Sequence, residues 1–290
     1  MKSPVPMAAD VLLAFYVDSG VDVALGEAPV DRFADRAPDE AASPAAGERV
    51  GRGIPGDGPA AGMGERPFPR LPQKGTASVP DRAAPAPAPP EVAVMAARDA
   101  ARRAASLEEL RAILQAFEGC ALRTTAKQLV FADGNPQGRV MFVGEAPGRE
   151  EDLEGLPFVG RSGKLLDRMM AAIGLDRTGA YIANIIPWRP PGNRTPTPQE
   201  SQICLPFILR QIELADPDVL VCLGGPAAQA LLGVKEGILR TRGRWFPYPT
   251  GSREIRAIAT LHPAYLLRQP LQKRLAWRDF LAIQRALAKG

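Results

Sequence analysis

Histidine is nearly absent from these 290 residues: there is one, His262. A single imidazole cannot build a His-rich metal site, and no second one can replace its chemistry. Cysteine is almost as scarce. Three thiols, Cys120, Cys204 and Cys222, are too few for a disulfide scaffold, and their spread contains no CxxC knuckle. Free thiols fit a reducing compartment, and a cytoplasmic location is expected. Long apolar runs are also missing. None approaches the roughly 20 residues that span a bilayer, so no membrane partner is expected. The short run Val11-Leu12-Leu13-Ala14-Phe15-Tyr16-Val17 lies between Asp10 and Asp18 and lacks the basic leader and cleavage site of a signal peptide.

Proline is plentiful but uneven: half of the 30 prolines precede residue 91. Runs such as Ala84-Pro85-Ala86-Pro87-Ala88-Pro89-Pro90 cannot build a core and favour extended, solvated chain. The sequence therefore divides into an N-terminal helical segment (1–36), a Pro/Ala/Gly-rich disordered or semi-rigid linker (37–100, most marked before residue 91) and a folded domain (101–290). Leu12, Leu13, Tyr16 and Val17 fall at helical spacing in the first segment. That helix would dock on the body, bind a protein partner, or remain a loose tail. A net charge of +4 and a pI near 9.1 permit an anionic partner without requiring one.

The folded part alternates strands and helices. Apolar strands are predicted at 139–143, 181–186, 219–223 and 255–260, with Asp133-Gly134-Asn135-Pro136 as a turn. Helices are predicted after Ser106, around 163–173, after Thr197, at 225–232 and at 273–288. This order implies a three-layer α/β/α fold around a central four-stranded parallel sheet. In such sheets ligands bind at the carboxyl ends of the strands. Those ends carry Glu145, Asn184 and His262: a carboxylate, an amide and an imidazole, a set suited to a planar polar ring. The run Gly155-Leu156-Pro157-Phe158-Val159-Gly160-Arg161-Ser162 mimics a phosphate-binding P-loop, but it has Arg where that loop needs Lys and starts well after the strand.

Four segments carry a resemblance: Gly144-Glu145-Ala146-Pro147-Gly148-Arg149-Glu150-Glu151-Asp152, Pro157-Phe158-Val159-Gly160, Arg189-Pro190-Pro191-Gly192-Asn193-Arg194 and His262-Pro263-Ala264-Tyr265-Leu266-Leu267-Arg268. In order and at compatible spacing over about 106–288, they resemble the family-4 uracil-DNA glycosylases. The resemblance implies excision of uracil flipped out of DNA, with charge developing on the departing base. It implies that Phe158 stacks on the base and that Asn184 reads its N3–H and O4. His262 would donate to O2, and Glu145 would position the attacking water or steady a cationic sugar. Ala146 and Gly148 would offer backbone donors. Glu151 would sit against the C5 edge, or simply favour a helix start. Leu266, Leu267 and Arg268 match a wedge loop that fills the vacated stack. Arg161, Lys164, Arg189, Arg194, Arg268 and Lys273 would neutralise phosphates.

Many members of that family carry a four-cysteine iron–sulfur cluster. Here Cys120 and Cys204 match two ligand positions, while Phe117 and Trp188 stand at the other two. Two thiolates are short of the usual four, so no cofactor is expected. The loop 189–197 lacks the histidine with which a related group traps its product, and no lysine suggests lyase chemistry. A monomeric, monofunctional glycosylase acting on uracil-containing DNA is expected. The alternatives are a non-catalytic DNA-binding or polymerase-associated module on the same fold, and a glycosylase for a wider range of deaminated bases.

Overall fold

A computed structural model describes residues 90–288. The N-terminal segment and most of the linker expected from the sequence lie outside the described residues. Helix α1 (Pro90–Arg103) runs through the boundary expected at residue 101. Its alanine face, Ala93, Ala97, Ala100 and Ala101, is buried, so the folded body begins at least ten residues earlier than composition suggests. An Ala-rich stretch next to a Pro-rich one reads as linker, yet alanine is the best helix former and packs closely.

Helices α2 (Leu107–Ala116) and α3 (Leu122–Thr125) follow. Ser106 caps α2 by accepting the N–H of Glu109, and Leu110 and Leu114 are buried as their spacing predicts. The chain then enters a six-stranded sheet. In chain order its elements are β1 (Asp133–Gly134), β2 (Val140–Gly144), α4 (Arg149–Glu154), α5 (Arg161–Ala171), β3 (Ala180–Asn184), α6 (Pro198–Ala215), β4 (Val219–Leu223), α7 (Gly225–Leu232), α8 (Ile238–Thr241), β5 (Trp245–Pro249), β6 (Glu254–Thr260), α9 (Pro263–Arg268) and α10 (Lys273–Leu287). The strand order is β1-β3-β2-β4-β6-β5. The four inner strands are parallel and are the four the sequence predicts; β1 and β5 are antiparallel edges. Asp133-Gly134, expected as a turn, pairs with Ile182 and Tyr181 instead. Strand β5 holds Pro247 and Pro249, which lack an N–H and are tolerated at an edge.

Strands β2, β3 and β4 are buried at every position, which requires cover on both faces. Alternating side chains supply it. Met141 and Val143 join a core cluster with Leu110, Phe207 and Trp188, whereas Val140 and Phe142 join Leu166, Phe280 and Ile283 on the other face. Thr197 caps α6, as predicted, and Glu200 completes a capping box with it. Register pairs Gly144 with Asn184, so the ends of β2 and β3 lie side by side; the strand order reverses between β2 and its other neighbour, β4. No helix among the described residues is long and apolar enough to cross a membrane.

Candidate active site

At the carboxyl ends of the parallel strands lies a cavity of about 590 Å³. Glu145, Ala146, Gly148, Glu151, Phe158, Asn184, Arg194, His262 and Arg268, all singled out from the sequence, line it. Ser162, Gly224 and Tyr265 line it too and were not singled out as site residues from the sequence, although Tyr265 lies within the His262–Arg268 segment.

Two side chains meet over Gly144. A Cβ there would lie 2.5 Å from Oδ1 of Asn184 and 2.6 Å from the Phe158 ring, so only glycine lets amide and aromatic approach the strand end together. Asn184 is 5% exposed, and its amide makes no hydrogen bond to another described residue. The Phe158 ring lies 5.5 Å from the His262 ring, centroid to centroid.

His262 follows β6 and is the N-cap of α9. Its Nδ1 accepts the N–H of Ala264 at 3.1 Å. A neutral ring with Nδ1 as acceptor carries its proton on Nε2. Burial, helped by the Arg268 charge and opposed by Glu151, pulls the imidazole pKa down to about 4. At neutral pH His262 is therefore an uncharged Nε2–H donor. Glu145 is half-buried, and burial raises its pKa.

Glu151 lines the cavity and also organises its wall. Its Oε2 accepts the N–H of Gly148 at 3.0 Å, and its Oε1 accepts those of Val159 and Gly160, each at 3.1 Å. One carboxylate thus ties the loop after β2 to the segment carrying Phe158. The same bond takes the Gly148 N–H out of the set of donors expected for a ligand. The Ala146 N–H keeps no protein partner among the described residues.

The wedge expectation is corrected for Leu266. It is fully buried and packs with Leu165, Met169 and Phe280, because the helical repeat of α9 turns it inward. Leu267 is half-buried and Arg268 exposed. Arg161 and Lys164 are exposed, with Arg168 along the same stripe of α5. Arg194 is bidentate to Glu200 at 2.6 and 2.9 Å, and Arg189 donates to Asn193 at 2.6 Å. These two guanidiniums brace the 189–197 loop rather than stand free for phosphate.

Fold and site together define an α/β protein with a pocket for a planar polar ring at the switch point of its sheet. The model of the Uracil DNA glycosylase superfamily matches residues 131–281, and the chain belongs to that superfamily. It is also similar to curated relatives. It is 40% identical over 182 residues to the type-4 uracil-DNA glycosylase of Archaeoglobus fulgidus, spanning 61% of this chain and 92% of that protein. It is 44% identical over 150 residues to the type-4 enzyme of Thermotoga maritima, 51% of this chain and 77% of the relative. The Saccharolobus solfataricus type-4 enzyme is 37% identical over 174 residues, 58% of this chain and 81% of the relative.

These relatives overturn the expectation of a cofactor-free protein, because type-4 enzymes are a family that binds an iron–sulfur cluster. The two thiols at ligand-matching positions do converge: Cys120 and Cys204 are buried with their sulfurs 3.9 Å apart. Phe117 and Trp188 pack into the same apolar cluster, with Phe117 edge-on to Phe207. The described residues thus supply two of the four thiolates such a cluster takes, and by themselves do not fit it.

Proposed function

We infer that this chain hydrolyses the N-glycosidic bond of deoxyuridine in DNA, releasing uracil and leaving an abasic site, the first step of base-excision repair. One observation carries this reading: a single cavity holds an aromatic ring, an amide without a partner among the described residues, and an imidazole whose proton is confined to Nε2. Binding duplex DNA alone requires none of the three.

The chemistry follows from the groups. A flipped base stacks on the face of the Phe158 ring that lines the cavity, where aromatic stacking is worth about 1–3 kcal/mol per base. The Asn184 amide offers one acceptor and one donor, matching N3–H and O4 of uracil. Cytosine presents the opposite pattern and would leave buried groups unpaired, an expensive mismatch. As the glycosidic bond breaks, negative charge grows on O2. The Nε2–H of His262 donates there, joined by the N–H of Ala146. A preorganised neutral donor stabilises this charge without a proton transfer. Glu145 holds the attacking water as a carboxylate. Arg161, Lys164 and Arg268 face the DNA backbone from α5 and α9, and Leu267 is the apolar residue next to the vacated stack. Turnover proceeds without covalent trapping, since the only imidazole is committed to the base.

The test is product analysis on an oligonucleotide with a single uracil. Free uracil plus an alkali-labile abasic site supports the reading. Folded protein that releases none from single or double strands contradicts it. Parallel oligonucleotides with hypoxanthine or thymine measure how narrow the specificity is.

A further inference from the structure

Phe158 has a backbone angle that its side chain disfavours. Its φ is +55°, in the left-handed region that a bulky residue rarely adopts. Something must hold it there, and the surroundings show what. Arg177, in the turn before β3, donates Nη1–H to the carbonyl of Pro157 at 3.1 Å and Nη2–H to the carbonyl of Phe158. Its guanidinium is itself fixed by Asp133 of β1 and by Asp167 of α5, the latter at 2.9 Å from Nε. Glu151 acts from the opposite side, taking the N–H of Val159 and of Gly160. The peptide between Phe158 and Val159 therefore has a cation on its oxygen and a carboxylate on its N–H. Flipping that peptide, the motion that would release the left-handed conformation, would turn the oxygen toward the carboxylate. Gly163 completes the arrangement, since a Cβ there would collide with the Phe158 carbonyl.

We propose that Arg177, itself held by Asp133 and Asp167, is a positioning residue for base excision that fixes the Pro157 and Phe158 carbonyls so that the Phe158 ring is presented to the flipped base. It rests on the function inferred above. Arg177 lies outside every motif that marks the site in the sequence. It touches no substrate and acts only through Phe158.

A double-mutant cycle tests this. Uracil release is measured under single-turnover conditions for wild type, Arg177→Gln, Phe158→Ala and the double variant, varying enzyme to obtain half-saturation and maximal rate. Thermal unfolding is followed in parallel. Arg177→Gln is expected to raise the half-saturating concentration roughly tenfold, the scale of one weakened stacking contact. In the Phe158→Ala background the same change should cost less than twofold. An equal factor in both backgrounds would mean that Arg177 contributes general stability alone and would overturn the proposal, as would unaltered kinetics in folded Arg177→Gln. If that variant does not fold, Arg177→Lys takes its place in the cycle: it keeps a cation between the two aspartates but cannot fork to both carbonyls, and the same criteria apply. Wild type that releases no uracil would instead refute the inferred function, so the two failures are distinguishable.

Discussion

Nδ1 of His262 accepts the backbone N–H of Ala264, two residues on, at 3.1 Å. That bond assigns the tautomer of the only imidazole in the sequence, and with it the direction in which the ring donates.

The first prediction concerns that donor. His262→Ala removes the hydrogen bond at the oxygen where charge develops. Its maximal rate should fall about 10²–10³-fold, with a much smaller change in half-saturation. Single-turnover kinetics on a uracil oligonucleotide would show it.

The same residue sets a pH dependence. Its folded pKa, about 4, lies below the ordinary 6.5, so the folded state binds fewer protons than the unfolded chain between those values. Stability from this group is therefore intact above pH 6.5 and is lost as pH falls toward 4, by roughly 3 kcal/mol. Denaturant unfolding from pH 4 to 7 should show a steeper loss for wild type than for His262→Gln. Glu145 adds a kinetic limb: its raised pKa makes excision rise with pH above the usual carboxylate range. Glu145→Gln should be slow and should lack that limb.

Glu151→Gln should weaken protein and activity together. The carboxylate accepts three backbone N–H groups through two oxygens, and an amide has only one acceptor atom. At least one half-buried donor loses its partner, at about 1 kcal/mol or more. A lower melting temperature with a raised half-saturating DNA concentration is expected.

The two leucines of the His-Pro-Ala-Tyr-Leu-Leu-Arg segment should separate. Leu266→Ala empties a core position and should cost about 2–5 kcal/mol of stability. Leu267→Ala should barely alter stability, yet slow excision from duplex more than from single-stranded DNA. Unfolding curves and paired substrates would distinguish them.

Much of this was legible in the sequence. The four parallel strands announce themselves because residues buried on both faces are apolar without a break, as in Val219-Leu220-Val221-Cys222-Leu223. The strand-end residues Glu145, Asn184 and His262 follow from that order. The edge strands were hidden for local reasons: β1 is two residues of turn-forming sequence, and Pro247 and Pro249 read as loop. Leu266 was read as a wedge because sequence alone does not show which way α9 turns it. Arg177 was invisible because its partners, Asp133, Asp167 and two carbonyls, come together only in three dimensions. The alanine face of α1 was masked by its Pro-rich neighbour.

The most direct measurement is uracil release from a single-uracil oligonucleotide by wild type, Asn184→Ala and His262→Ala side by side. Release by wild type and its near-complete loss in both folded variants would bear out one pocket that reads the base and stabilises its departure. Release that survives both substitutions would contradict it.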